Sequence, residues 1–150
     1  MHLRPYQPSD LAGIRNLFRT TIERVNWRDY TAEQLQAWIG TDNSATQQQW
    51  QDTLSTHRTL VAIDRGTLVG FGDMTTTGLL DRLYVHYAHQ NRGIATALVR
   101  TLEADIPAAT YQTYASITAR PFFERQGYQV TRTNHVQRQG VDLLNYHMQK

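Results

Sequence analysis

Apolar residues along this chain recur with two periods. Leu11, Ile14, Leu17, Phe18 and Ile22 fall at helical spacing, and Ser9 stands where a cap is needed. Thr31 with Gln34 forms a capping-box pattern before Leu35, Trp38 and Ile39, and Ser44 with Gln47 repeats it before Trp50 and Leu54. Short β-rich runs then take over. Leu3 to Tyr6 reads as a first strand, Thr59 to Ile63 as a second, and Leu68 to Met74 as its return after the turn Asp64-Arg65-Gly66-Thr67. Leu79 to Val85 is a further strand. Ile94, Leu98 and Leu102 follow at four-residue spacing, with Ala95, Ala97 and Val99 beside them, which predicts a buried helix. Tyr111 to Ser116 reads as a strand, and Pro121 to Gly127 as a short helix with proline in its first turn and glycine at its stop. Tyr128 to Val136 and Val141 to Met148 close the chain as a hairpin around Gly140.

Early helices, a hairpin, then alternating strands and helices predict a mixed α/β sheet with a helical cover, as one domain over residues 1–150. Hydrophobic residues make up 40% of the chain and charged ones 19%, which fits a packed core and argues against disorder. No apolar run approaches the length of a membrane span, and Met1-His2-Leu3-Arg4-Pro5-Tyr6 lacks a signal-peptide core. There are no cysteines, hence no disulfide framework and no thiol nucleophile, so cytoplasm is the expected location. Net charge is +2 and the arginines are scattered, with Lys150 the only lysine, so no nucleic-acid patch is expected.

The chemistry concentrates between the Leu79 strand and its helix. Gln90-Asn91-Arg92-Gly93-Ile94-Ala95-Thr96 runs straight into the helix with small residues at its start. A helix N-terminus offers free N–H groups and a partial positive charge, so Gly93 and Ala95 would let an anion approach, and Arg92 would add a fixed charge. Other signatures fail. There is no P-loop and no Gly-x-Ser-x-Gly elbow, and Gly70-x-Gly72 lacks the third glycine of a dinucleotide fingerprint. His86-x-x-His89 has no nearby Asp, Glu or Cys to complete a metal site, so no metal is expected.

Gln90-x-x-Gly93-x-Ala95 resembles the Gln/Arg-x-x-Gly-x-Gly/Ala signature of the GCN5-related N-acetyltransferases, the GNAT family. Ser116-Ile117-Thr118-Ala119-Arg120-Pro121-Phe122-Phe123-Glu124-Arg125-Gln126-Gly127-Tyr128 resembles that family's second signature, Asn-x-x-Ala-x-x-Phe-Tyr-x-x-x-Gly-Phe. Ser116 replaces the usual Asn and Phe123 the usual Tyr. The tail is also similar to that of small uncharacterised bacterial acetyltransferases. The resemblance implies the GNAT fold, a mixed, mostly antiparallel central sheet of about six to seven strands flanked by about four to five helices. It implies acetyl-CoA as acyl donor and direct transfer to a primary amine of a small molecule or peptide. It also implies that dimers are common. The alternative is a CoA-binding sensor or interaction module with little catalysis, which the missing tyrosine motivates.

The resemblance also assigns roles. Backbone groups of Leu83, Tyr84 and Val85 would pair with the pantetheine arm, and a backbone N–H near Val85 would polarise the thioester carbonyl. Gln90, Asn91, Arg92, Gly93, Ile94, Ala95 and Thr96 would form the pyrophosphate loop. Ser116, Ala119, Phe122 and Phe123 would flank the arm, with Ser116 hydrogen-bonding it. For the base, Asp81 shares strand parity with Leu83 and Val85, Asp73 lies on the neighbouring strand, and His86 has a suitable ordinary pKa. Phe123 cannot donate a proton; Tyr84, Tyr87, Tyr114 or water would substitute, or the thiolate would leave unaided. Trp27, Tyr30 and Trp38 fall where the family binds its acceptor.

Overall fold

The computed structural model describes all of residues 1–150. Its elements are β1 (His2–Pro5), α1 (Leu11–Val25), α2 (Ala32–Ile39), α3 (Ser44–Thr56), β2 (Arg58–Asp64), β3 (Thr67–Met74), β4 (Leu79–Val85), α4 (Ile94–Asp105), β5 (Gln112–Ser116), α5 (Arg120–Arg125), β6 (Gln129–Arg138) and β7 (Val141–Gln149). The seven strands form one sheet in the order β1-β2-β3-β4-β5-β7-β6. Only the β4–β5 pair is parallel; every other pair is antiparallel. The expected mixed, mostly antiparallel sheet flanked by helices is therefore what the chain adopts.

Two cores cover the two faces. Leu98, Leu102 and Val99 of α4 pack with Leu60, Met74 and Leu80 on one face; Ile14, Leu17, Trp50 and Leu54 of α1 and α3 pack with Val61 and Phe71 on the other. Strand alternation divides the residues this way. Gly70 and Gly72 of β3 face α4, where a Cβ would lie 3.1 Å from Ile94 Cγ2 and 3.2 Å from Leu102 Cδ1 respectively. Their lack of side chains lets α4 sit tight on the strand.

Local signals account for most boundaries. Thr31 accepts from the Gln34 N–H at 3.1 Å and Gln34 Oε1 accepts from the Thr31 N–H at 2.9 Å, the predicted capping box. Two caps differ from expectation. The α3 cap is Asn43 paired with Thr46, one residue before Ser44 and Gln47, because Asn43 Oδ1 reaches the Thr46 N–H at 2.9 Å. Ser9 lies in a 3₁₀ turn, Pro8–Asp10, and caps nothing; Asp10 takes the entry to α1, accepting from the Gln7 N–H and from Arg4, each at 2.8 Å. No helix is long and apolar enough to cross a membrane.

Candidate active site

The site begins where the sheet comes apart. β4 and β5 pair only at Leu79–Gln112 and Leu80–Thr113. Beyond that point β4 stays with β3 as far as Val85, while β5 stays with β7 as far as Ser116, and a gap opens between them. The His86 N–H donates to the Val69 carbonyl at 2.8 Å. Antiparallel alternation then turns the main-chain groups of Arg82 and Tyr84 toward β3 and those of Leu83 and Val85 toward the gap. The Val85 carbonyl is already taken, accepting from Gln90 Nε2 at 2.6 Å and from Thr21 Oγ1 at 3.4 Å. The Val85 N–H and both polar groups of Leu83 remain facing the gap.

The gap leads to the N-terminus of α4. Asn91 (φ 60°) and Gly93 (φ 81°) adopt left-handed conformations that turn the chain abruptly into the helix. Gly93 is the cap residue and no side chain caps the helix, so the first N–H groups of a 12-residue helix are left open. No atom lies within 4 Å of the place a Cβ on Gly93 would take. A cavity of about 500 Å³ runs along this path, bounded by Leu83 and Val85 on one side, Ala119, Phe122 and Phe123 on the other, and Gly93 to Thr96 at the helix end. A second cavity, about 570 Å³, lies between α2 and the β6–β7 hairpin. The two share Trp38, Asp81, Tyr84, Tyr114 and Ser116 as common walls. Two compartments thus meet at one junction.

The structure sorts the residues nominated from sequence. Gln90, Asn91, Gly93, Ile94, Ala95 and Thr96 line the first cavity; Arg92 does not, and its guanidinium lies 3.4 Å from His89 Nδ1 instead. Ser116 Oγ accepts from the Ala119 N–H at 3.0 Å, so it caps the strand end while facing both cavities. Phe123 is 3% exposed and packs edge-on against Phe122 and Tyr128. Trp38 stands edge-on to Tyr30 at 5.3 Å, and Tyr30 lines the second cavity while its hydroxyl donates to the Leu144 carbonyl at 2.7 Å. Trp27 is 57% exposed, borders neither cavity and stacks with Arg28. His86 also borders neither. Its Nδ1 accepts from the Ala88 N–H at 3.0 Å, and burial, with His89 nearby, lowers its pKa from the ordinary value. Burial raises the pKa of Tyr84 far above that of a free phenol.

Asp81 departs most from the expected geometry. The β3–β4 register slips between Asp73 and Met74, leaving Asp81 as the extra residue of a β-bulge. The bulge resets the alternation: Leu80, Leu83 and Val85 face α4, and the Asp81 carboxylate turns to the opposite face, beside Arg82. Parity counted through the strand fails for that reason. The change of face places Asp81 at the junction of the two cavities, 40% exposed.

Behind Asp81 sits a polar cluster of which the sequence pointed to Asp73 but not to His57 or Arg82. Asp73 is fully buried and borders neither cavity. Its Oδ2 lies 2.8 Å from His57 Nδ1 and 3.1 Å from Arg82 Nη1, while its Oδ1 has no partner. Asp81 Oδ2 lies 4.0 Å from His57 Nδ1 and 3.7 Å from Arg82 Nη1. Burial raises the proton affinity of Asp73, and the hydrogen bond from His57 and the charge of Arg82 oppose it. The Asp73 hydrogen bond in turn raises the pKa of His57. His57, Asp73 and Asp81 offer atoms close enough for a metal, yet the Arg82 guanidinium already stands against both carboxylates. Both carboxylates therefore already face an organic cation. Hairpin arithmetic from the turn at Asp64–Thr67 would put Thr59 opposite Gly72; a bulge between Ala62 and Ile63 shifts the register by one, so that Thr59 pairs with Asp73 and the end of α3 is brought to it.

Comparison with known proteins agrees with this architecture. The acetyltransferase (GNAT) domain family model matches residues 26–150. The uncharacterized N-acetyltransferase YafP of Escherichia coli (strain K12) is 31% identical over 148 residues, which cover 99% of this chain and 94% of that protein. A GCN5-related N-acetyltransferase from Rhodopseudomonas palustris is 34% identical, with a TM-score of 0.92 over 99% of this chain and 94% of that one. The PaiA N-acetyltransferase of Thermoplasma acidophilum, solved with coenzyme A, shares the fold at 18% identity, with a TM-score of 0.81 over 99% of this chain and 97% of that one.

Proposed function

Since the chain belongs to the GNAT acetyltransferases, we propose that it moves the acetyl group of acetyl-CoA directly to a primary amine of a small molecule or peptide, both substrates being bound together. The observation that carries this reading is the meeting of the two cavities at Asp81, one leading to an open helix N-terminus and the other to a separate aromatic-walled space.

In this reading the pantetheine arm lies in the β4–β5 gap against Leu83 and the Val85 N–H, with Phe122 and Phe123 on its other flank. The pyrophosphate meets the N–H groups of Ile94, Ala95 and Thr96, which point out of the helix with the positive end of its dipole. The amine nitrogen attacks the thioester carbonyl carbon, the Val85 N–H faces the oxygen that gains charge, and the C–S bond breaks. Asp81 first takes a proton from the acceptor's ammonium, directly or through one water, which frees the attacking lone pair; the nitrogen's second proton goes to the departing thiolate as the C–S bond breaks. A thiolate with a pKa of about 8.5 is a tolerable leaving group, so Phe123 is no bar to transfer. With no cysteine in the chain, no thioester on the protein intervenes.

The test is turnover with benzylamine, phenethylamine, spermidine, L-phenylalaninamide and short peptides as acceptors. Released CoA can be read with a thiol reagent, because the protein contributes no thiol of its own. Acetylated product appearing in step with CoA supports the reading. Tight CoA binding with no transfer to any acceptor would favour the sensor alternative that Phe123 raises.

A further inference from the structure

Taking Asp81 as the base, we propose that His57 is its positioning residue: the His57 ring, clamped by Asp73, sets the net charge of the carboxylate pair that an acceptor ammonium meets. The charged groups facing His57 are Asp73 from β3 and Asp81 and Arg82 from β4. The Arg82 guanidinium is held 4.1 Å from the Trp50 ring centroid on α3. Two carboxylates and one guanidinium leave the cluster at net −1 with the ring neutral, and at zero with the ring protonated.

Asp73 cannot act on a substrate itself, since it is fully buried and borders neither cavity. It can hold the ring. In both protonation states Nδ1–H donates to Asp73 Oδ2 at 2.8 Å, so the orientation is fixed and the second proton comes and goes at Nε2. Nδ1 also lies 4.0 Å from Asp81 Oδ2, so a positive charge on the ring stands against that carboxylate. An aliphatic ammonium keeps its charge throughout the neutral range. The ring's second proton and the acceptor's ammonium therefore compete for the same negative charge, one from behind the sheet face and one from the cavity. As pH falls through the ring's midpoint, the KM for the amine rises, while the KM for acetyl-CoA, bound on the far side of the junction, does not.

The coupling is read without any acceptor by following the His57 ring in NMR against pH. The midpoint is expected above histidine's ordinary value of about 6.5, and lower by about half a pH unit or more in Asp81→Asn, which removes the facing charge and leaves the Asp73 clamp. An unchanged midpoint overturns the proposal. In turnover, His57→Gln keeps a neutral donor for Asp73 and should abolish the rise in amine KM between about pH 8 and pH 6. Persistence of that rise also overturns it. If Asp81→Asn turns over amines at the wild-type rate, the base reading falls and the role of His57 falls with it. If Asp81 is needed and the two groups do not couple, only the role of His57 falls.

Discussion

Gln90 closes back on Val85, its side-chain amide donating to the Val85 carbonyl at 2.6 Å. That bond ties the loop before α4 to the end of β4, so the two surfaces proposed to hold acetyl-CoA are fixed relative to each other. The first glutamine of the signature thus acts on the protein, satisfying a carbonyl that alternation would leave open in the gap. Gln90→Ala is expected to lower acetyl-CoA affinity about tenfold and to cost about 1 kcal/mol of stability. Calorimetry and urea unfolding on the same variant would measure both.

Asp81→Asn removes the proposed base while keeping its size. Turnover is expected to fall by about 10²-fold or more near neutral pH, with acetyl-CoA affinity nearly unchanged. An equal loss in affinity would place Asp81 in donor binding instead. Steady-state kinetics with the best acceptor, beside a CoA titration, separates the two.

Phe123 stands in the core between Phe122 and Tyr128, 3% exposed. Phe123→Tyr would place a hydroxyl against the arm's flank without helping a thiolate that leaves readily, so the gain in kcat should stay under about threefold. Phe123→Ala empties a packed site and should cost about 3–5 kcal/mol, with weaker cofactor binding following from the lost wall. Thermal unfolding and kinetics on the two variants check the contrast.

His147 predicts acid sensitivity of the fold. It is 5% exposed, with Nε2 2.8 Å from Gln112 Oε1 and Nδ1 in contact with the Thr131 hydroxyl, and burial, then Arg132, lowers its pKa. Because the folded pKa lies below the unfolded one, the folded state binds fewer protons. This contribution is intact above the unfolded value of about 6.5 and is lost as pH falls below it toward the folded one. His57, with a raised pKa, acts oppositely: its contribution is present below about 6.5 and lost as pH rises through the folded midpoint. Urea midpoints at about pH 7 and pH 5 should therefore differ less in His147→Gln than in the wild type.

Much of this was legible in the chain because it is local. The α4 stripe of Ile94, Leu98 and Leu102, the Thr31–Gln34 box and the turn at Arg65-Gly66 each depend on neighbours in sequence, and each appears as expected. What failed depends on pairing between strands. One extra residue at Asp81 reversed its face, and no periodicity within β4 reveals a bulge that only the register with β3 defines. His57 was invisible because its importance comes from Asp73, 16 residues away and brought near by the hairpin. Trp27 sits in the expected region but points to solvent, a matter of one 3₁₀ turn at Asn26–Arg28.

The central claim is that the β4–β5 gap and the open start of α4 hold acetyl-CoA. Gly93→Glu tests it most directly, since the added carboxylate would enter the open space before the helix and repel the pyrophosphate. Calorimetric titration with acetyl-CoA should show binding to the wild type and a loss of about a hundredfold or more in a variant whose circular dichroism is unchanged. Equal affinity in the folded variant would contradict the account.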